Sequence, residues 1–352
     1  MKKYVYLSFL LLLTISCEKN PIPLPTIENQ DGETLPFEND NIKVTLVTTS
    51  GPANTRDMHF FDALKGIAIN YYGEIYMTQN GGISWTLQYK NPINDQPFFQ
   101  INFTDSNTGY VVGGSNSCGG TGCIPPGSII LKTTDGGTNW TKIYEMRKAE
   151  IVSICSNSSG DLFIASNGTK GRIARSNNGG SIWTIIDSTS FQLNKILFRD
   201  NIGFCTGMKG NILRTENNGD SWRSIATLDA LYATDIKFIE NNLVCMANNM
   251  VVYKSSDSGI SWTKIFTTDR IFYGINPQSK NDYIIYGSGG YSGGCFGTFY
   301  AGIGHTINSG LDWTIISFPA VPSILCSSFY SDSEGFLMGG FNKGQLLKVT
   351  LK

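Results

Sequence analysis

The chain has 352 residues, with 27 basic and 28 acidic side chains, a formal net charge of −1, and 39 glycines. So even a balance excludes the strongly basic surface that nucleic-acid binding demands. Only two histidines are present, His59 and His305, and neither has metal-like neighbours in sequence, so no metal and no cofactor is expected.

Met1-Lys2-Lys3 and the apolar run 4–15 read as the charged and apolar regions of an export signal covering residues 1–16. The apolar run is too short to favour a spanning helix. It ends Leu13-Thr14-Ile15-Ser16-Cys17, which resembles a relaxed bacterial lipobox with Cys17 as the acylated residue. The other reading is an ordinary secretory signal with an incidental cysteine. Glu18 after the cysteine resembles an outer-membrane address, so the expectation is an exported cell-envelope protein, an outer-membrane lipoprotein whose face is undecided. Loss of Lys2 and Lys3 with the signal leaves 25 basic against 28 acidic side chains, a net of −3. Residues 17–41, with Pro21, Pro23, Pro25 and Pro36, read as a lipidated, extended tether.

From residue 42 onward one motif organises the chain. The pattern [Ser/Thr]-x-[Asp/Asn]-x-Gly-x-x-Trp occurs at 78–85, 133–140, 176–183, 215–222, 255–262 and 306–313. Its third position is Asn80, Asp135, Asn178, Asn217, Asp257 and Asn308, and its last is Trp85, Trp140, Trp183, Trp222, Trp262 and Trp313. The chain's six tryptophans are thus all used, one per copy. Each copy lies between short apolar runs, as 128–132 and 140–143 do around the second, so it reads as a hairpin turn. The Asp or Asn accepts hydrogen bonds from turn N–H groups, and the glycine supplies a positive φ. The indole then opens the next strand and covers the turn. Successive tryptophans are 55, 43, 39, 40 and 51 residues apart, a period that suits a four-stranded propeller blade.

Between the turns a second pattern repeats: an apolar run, a polar turn, then an apolar run ending in small residues. It appears at 101–113, 196–207 and 236–247. No stretch holds a 3.6-residue apolar period, so helix is minor. After Trp313 come three more strand-like runs, 324–332, 335–340 and 345–349, and the fourth is missing. The alternating run Ile42-Lys43-Val44-Thr45-Leu46-Val47 supplies it at the other end of the chain. The expected fold is all-β: a seven-bladed β-propeller of four-stranded blades over residues 42–352, its ring closed by the N-terminal strand completing the last blade. Closure removes an open sheet edge, and about 44 residues per blade agrees with propeller repeats.

The repeated turn resembles the Asp-box, or BNR repeat. With the signal, the lipobox and seven blades, residues 42–352 resemble the photosystem II stability and assembly factor group in its wide bacterial sense, and more distantly sialidase-like propellers. The first resemblance implies a non-catalytic scaffold that binds other proteins or their segments. The alternative is a carbohydrate-binding or glycosidase propeller. Eight arginines, without a sialidase-like opening segment, and a single propeller do not supply an enzyme site that the sequence names. No catalytic residue is therefore assigned.

Cys155, Cys205, Cys245 and Cys326 lie in apolar runs and read as small buried hydrophobes. Cys118 and Cys123, in the glycine-rich segment Ser117-Cys118-Gly119-Gly120-Thr121-Gly122-Cys123, are the candidate disulfide. Cys295 is either unpaired or bonded to a neighbouring blade. A basic residue precedes five box or box-equivalent positions (Lys132, Arg175, Arg214, Lys254, Lys348), forming either a charged ring or a set of local pairs.

With strands lettered a to d outward in each blade, a–b turns and Asp-boxes share one face, and b–c and d–a loops the other. Two long insertions, 114–127 and 288–304, fall in b–c loops of blades 2 and 6, nearly opposite in a seven-membered ring. They rise as two walls about the channel mouth, or they pack over the ring. The second carries Tyr291, Phe296, Phe299 and Tyr300, and Lys170, Arg172 and Lys209 sit on the same face. This is the candidate binding face, suited to an envelope protein or peptide segment, or to a glycan. Membrane contact is expected through the lipid anchor alone.

Overall fold

The computed structural model describes residues 27–31, 35–92, 96–115, 127–240, 242–292, 298–340 and 344–352. Cys17, Cys118, Cys123, Cys295 and Phe296 lie outside them. The described residues form seven sheets and no helix. Blades 1 to 6 span 55–90, 98–146, 150–189, 193–227, 233–267 and 272–322, each a four-stranded antiparallel meander.

Blade 7 is assembled from both ends of the chain. Strands Ile324–Phe329, Glu334–Gly339 and Gly344–Leu351 are joined by Ile42–Gly51, with Val44 opposite Val349 and Leu46 opposite Leu347. Ring closure by the N-terminal strand is therefore as the sequence predicts.

The blades are held by their faces. Seven apolar clusters occupy the seven gaps between neighbouring blades. Ile67, Ile69 and Met77 of blade 1 meet Phe98, Val111 and Leu131 of blade 2, for example. Met58 and Phe60 of blade 1 meet Phe336, Met338 and Leu346 of blade 7 in the gap that completes the circle. Inner strands are buried on both faces, so Leu162–Asn167 is buried throughout, while the outer strand Thr141–Met146 is half exposed. This explains why strands b and c read as continuous apolar runs rather than alternating ones.

Two further strands fall within the stretch read as tether. Ile27–Asp31 pairs in parallel with strand d of blade 6, Ile27 opposite Trp313, and Phe37–Glu38 pairs with Lys43 and Val44. Strand d of blade 6 (Trp313–Pro322) buries Trp313, Ile315, Ile316 and Phe318, unlike the half-exposed outer strands elsewhere. An outer edge of that length is covered by the added strand. The segment Ile-Glu-Asn-Gln-Asp carries no alternating apolar pattern, and strand pairing through the backbone does not require one.

Candidate functional site

Each Asp-box is closed by one set of bonds. The first-position hydroxyl donates to the third-position side chain, as Thr133 does to Asp135 at 2.8 Å, and accepts the Gly137 N–H at 3.0 Å. The third side chain accepts the seventh residue's N–H, Asn139 to Asp135 at 2.9 Å. The indole of Trp140 donates to the Gly137 carbonyl at 2.9 Å. The turn N–H bonds recur at Asn80, Asn178, Asn217, Asp257 and Asn308, and the indole bond recurs in every box except that of Trp222. Hydrogen bonds within the turn hold both acids ionised: the Asn139 N–H draws Asp135 down to about 2, and the Ser261 hydroxyl, then its N–H, does the same for Asp257. The fifth-position glycine is required twice. Gly137 has φ of 92°, and a Cβ there would stand 2.5 Å from Ile67 of the preceding blade. The boxes are thus structural, and they wedge each blade against its neighbour.

The basic residues before the boxes resolve into local partners. Arg175 bonds Asp161 and Asp220, Arg214 bonds Glu216, and Lys348 bonds Glu334 at 2.8 Å. Lys132 and Lys254 lie over the rings of Tyr110 and Tyr283. His305 is buried and pairs with Asp282 at 3.0 Å. Cys155, Cys205, Cys245 and Cys326 are buried free thiols, and burial pushes each up. No metal-ligand cluster occurs among the described residues.

On the opposite face, the blade 6 insertion is a β-ribbon. Strands Tyr283–Ser292 and Thr298–Thr306 run past the blade, with Tyr291 opposite Phe299 and Gly290 opposite Tyr300. Tyr300 is half-buried. In blade 2, strand b extends to Ser115 and strand c begins at Gly127, and the intervening residues lie outside those described. Lys170 and Lys209 are exposed in the b–c turns of blades 3 and 4, and Arg172 is half-buried in the strand beside Lys170. Arg147 and the exposed Lys148 adjoin them, since the Lys148 carbonyl abuts Gly168. Among the described residues, this group's one ion pair is Arg147 with Glu145.

The channel itself holds a feature that sequence reading missed. Every strand a carries a β-bulge at one shared position, between Thr55 and Asp57 in blade 1 and its equivalents in the rest. The residue after the bulge reaches to the next blade. Asp57 accepts the Ile101 N–H at 3.1 Å, Gln100 that of Ile154 at 2.9 Å, Ser153 that of Ile196 at 3.1 Å, and Asp235 that of Ile275 at 3.3 Å. In blade 4 this position is Lys195, which has no acceptor to offer. The channel cavity, about 330 Å³, is lined by Asp57, His59, Asn102, Lys195, Lys237 and their neighbours. Burial raises Asp57 above the usual carboxylate range and lowers Lys195, with Lys237 adding repulsion and Asp235 and Asp57 opposing it. Aligning the strands on Ile101, Ile154, Ile196 and Ile236 would have exposed the preceding polar position.

Fold and turns together define an Asp-box seven-bladed propeller. The family of the photosynthesis system II assembly factor YCF48 matches residues 152–303, and the chain resembles that group. A structure of YCF48 bound to a D1 peptide is 18% identical with a TM-score of 0.67, over 90% of this chain and 99% of that one. YCF48 from Cyanidioschyzon merolae is 16% identical with a TM-score of 0.61, over 87% and 98%. The Niastella koreensis GH74 enzyme is 15% identical with a TM-score of 0.63, and this chain spans 84% of itself but 52% of that enzyme. No curated protein matches the chain.

Proposed function

We propose that this protein is a non-catalytic assembly propeller, anchored to the envelope membrane through Cys17, that holds a peptide segment of an exported protein on its b–c face. The carrying observation is the cluster Lys148, Lys170, Arg172 and Lys209, which no carboxylate among the described residues neutralises, on the same face as the Tyr291–Phe299 ribbon. Exposed cations attract an acidic segment and set its encounter rate, and aromatic side chains supply buried contact area. The D1 peptide bound by the related YCF48 supports a peptide as ligand. The carbohydrate reading rests on likeness to the GH74 enzyme, and a shared fold carries no reaction.

The test is capture of envelope proteins by the wild-type chain, by a Lys170→Glu, Arg172→Glu, Lys209→Glu variant, and by Tyr291→Ser with Phe299→Ser. A protein partner retained by the wild type and lost by both variants is the expected result, with binding that weakens as salt rises. Equal capture by all three overturns the assigned face, and glycan binding without a protein partner overturns the function. Palmitate labelling lost on Cys17→Ser checks the anchor separately.

A further inference from the structure

The strongest unexplained chemistry lies inside the channel, away from the b–c face. Lys195 and Lys237 line the cavity, and among the described residues neither ammonium has a hydrogen-bond or ion-pair partner. Both side chains are half-buried, and an ammonium withdrawn from part of its water gains from a partner of opposite charge. Lys195 also occupies the one stitching position where a cation replaces the acceptor found in blades 1, 2, 3 and 5. A side chain that cannot accept the next blade's N–H stands where a glutamine or serine serves elsewhere.

The wall's other polar groups sort the same way. Asp57 is already engaged at both oxygens, by the N–H groups of Met58 and Ile101. Asp235 accepts the N–H of Ile275. Gln100 Oε1 takes both the Ser153 hydroxyl, at 2.6 Å, and the Ile154 N–H. The backbone stitches thus engage both oxygens of Asp57 and one of Asp235, while the two ammonium groups make no hydrogen bond among the described residues. A cavity of about 330 Å³ has room for several non-hydrogen atoms, since one water takes about 30 Å³ of liquid.

We propose that the propeller channel is a binding site for a small multi-oxygen anion, a carboxylate or a phosphate, held by the ammonium groups of Lys195 and Lys237. The anion supplies the acceptors that these donors lack, and its charge lifts the mutual repulsion of the two lysines. The site is separate from the peptide face and stands or falls independently of it.

Isothermal titration of the full-length chain in detergent tests this with inorganic phosphate, with succinate, and with chloride as control. Saturable binding of phosphate or succinate, one per chain, and at least tenfold weaker in Lys195→Met with Lys237→Met is expected. Phosphate alone or succinate alone identifies which anion the site takes. The double variant keeps its apolar stems, and an unchanged urea midpoint or a higher one shows that it folds. Absence of binding by both anions overturns the proposal. So does equal binding by the double variant, or binding lost only in the Lys170, Arg172 and Lys209 charge reversal.

Discussion

Tyr286 fills the space that Gly274 leaves empty. Gly274 is the post-bulge residue of blade 6, where blades 1, 2, 3 and 5 carry the side chain that reaches the next blade. Tyr286 comes from strand b of the same blade, and its hydroxyl would lie 2.1 Å from a Cβ on Gly274. There it meets Ser327 of blade 7. Serine at 274 therefore collides with a buried ring, and the expected cost of Gly274→Ser is about 1–3 kcal/mol in urea denaturation. In a Tyr286→Leu background the space is vacated and much of that cost disappears. Additive effects of the two changes would disprove the substitution of one group for the other.

The clasp between the chain's two ends makes a second expectation. Val44 is fully buried between Val349 and the blade 6 face. Val44→Asp places an unpaired carboxylate there and is expected to lower stability by about 4 kcal/mol or more. Exposed Thr49, on the same strand but past the core, tolerates aspartate within about 0.5 kcal/mol. Equal urea midpoints for Val44→Asp and wild type would show that the ring does not depend on this strand.

What the sequence made legible follows from how each feature is encoded. The Asp-box needs a hydroxyl, an Asp or Asn, a glycine and an indole at fixed spacing, so six copies stand out. Ring closure was readable because 42–47 alternates and a fourth strand was missing after residue 349. The channel stitches were not, because aspartate, glutamine and serine all accept an N–H and the repeat conserves the task, not the residue type. The strand at Ile27–Asp31 was invisible for another reason: backbone pairing needs no side-chain pattern. Tyr291 and Phe299 were noticed as aromatics, but their cross-strand register appears only in the fold.

The six tryptophans are not equivalent, and their substitution separates packing from hydrogen bonding. Trp313 is 1% exposed, stacks near Phe266, and donates to the Gly310 carbonyl. Trp222 is half-buried, and its indole N–H alone among the six is buried without a partner. Trp313→Phe loses a bond and a filled volume, at about 2–3 kcal/mol. Trp222→Phe also removes an unsatisfied donor, so its cost is expected to stay under about 1 kcal/mol. Parallel thermal or urea unfolding of the two variants decides the ranking.

The last expectation concerns acid. His59 lies in the gap between blades 1 and 2, stacked on Phe103 at 4.9 Å and edge-on to Phe61 at 4.7 Å. Burial holds its imidazole neutral, with the pKa pulled down to about 4. The unfolded chain takes up a proton near pH 6.5, while the folded chain resists until about pH 4. Between those values the unfolded state binds more protons, so stability falls as pH drops through the window. The full loss is of the order of 3 kcal/mol at most. Glu150 and Asp57 are shifted upward by burial and act in the opposite sense, equally in wild type and variant. His59→Gln removes the titrating ring. The difference in urea midpoint between pH 7 and pH 4.5 should therefore shrink in the variant, and an undiminished difference would assign the acid sensitivity to other groups.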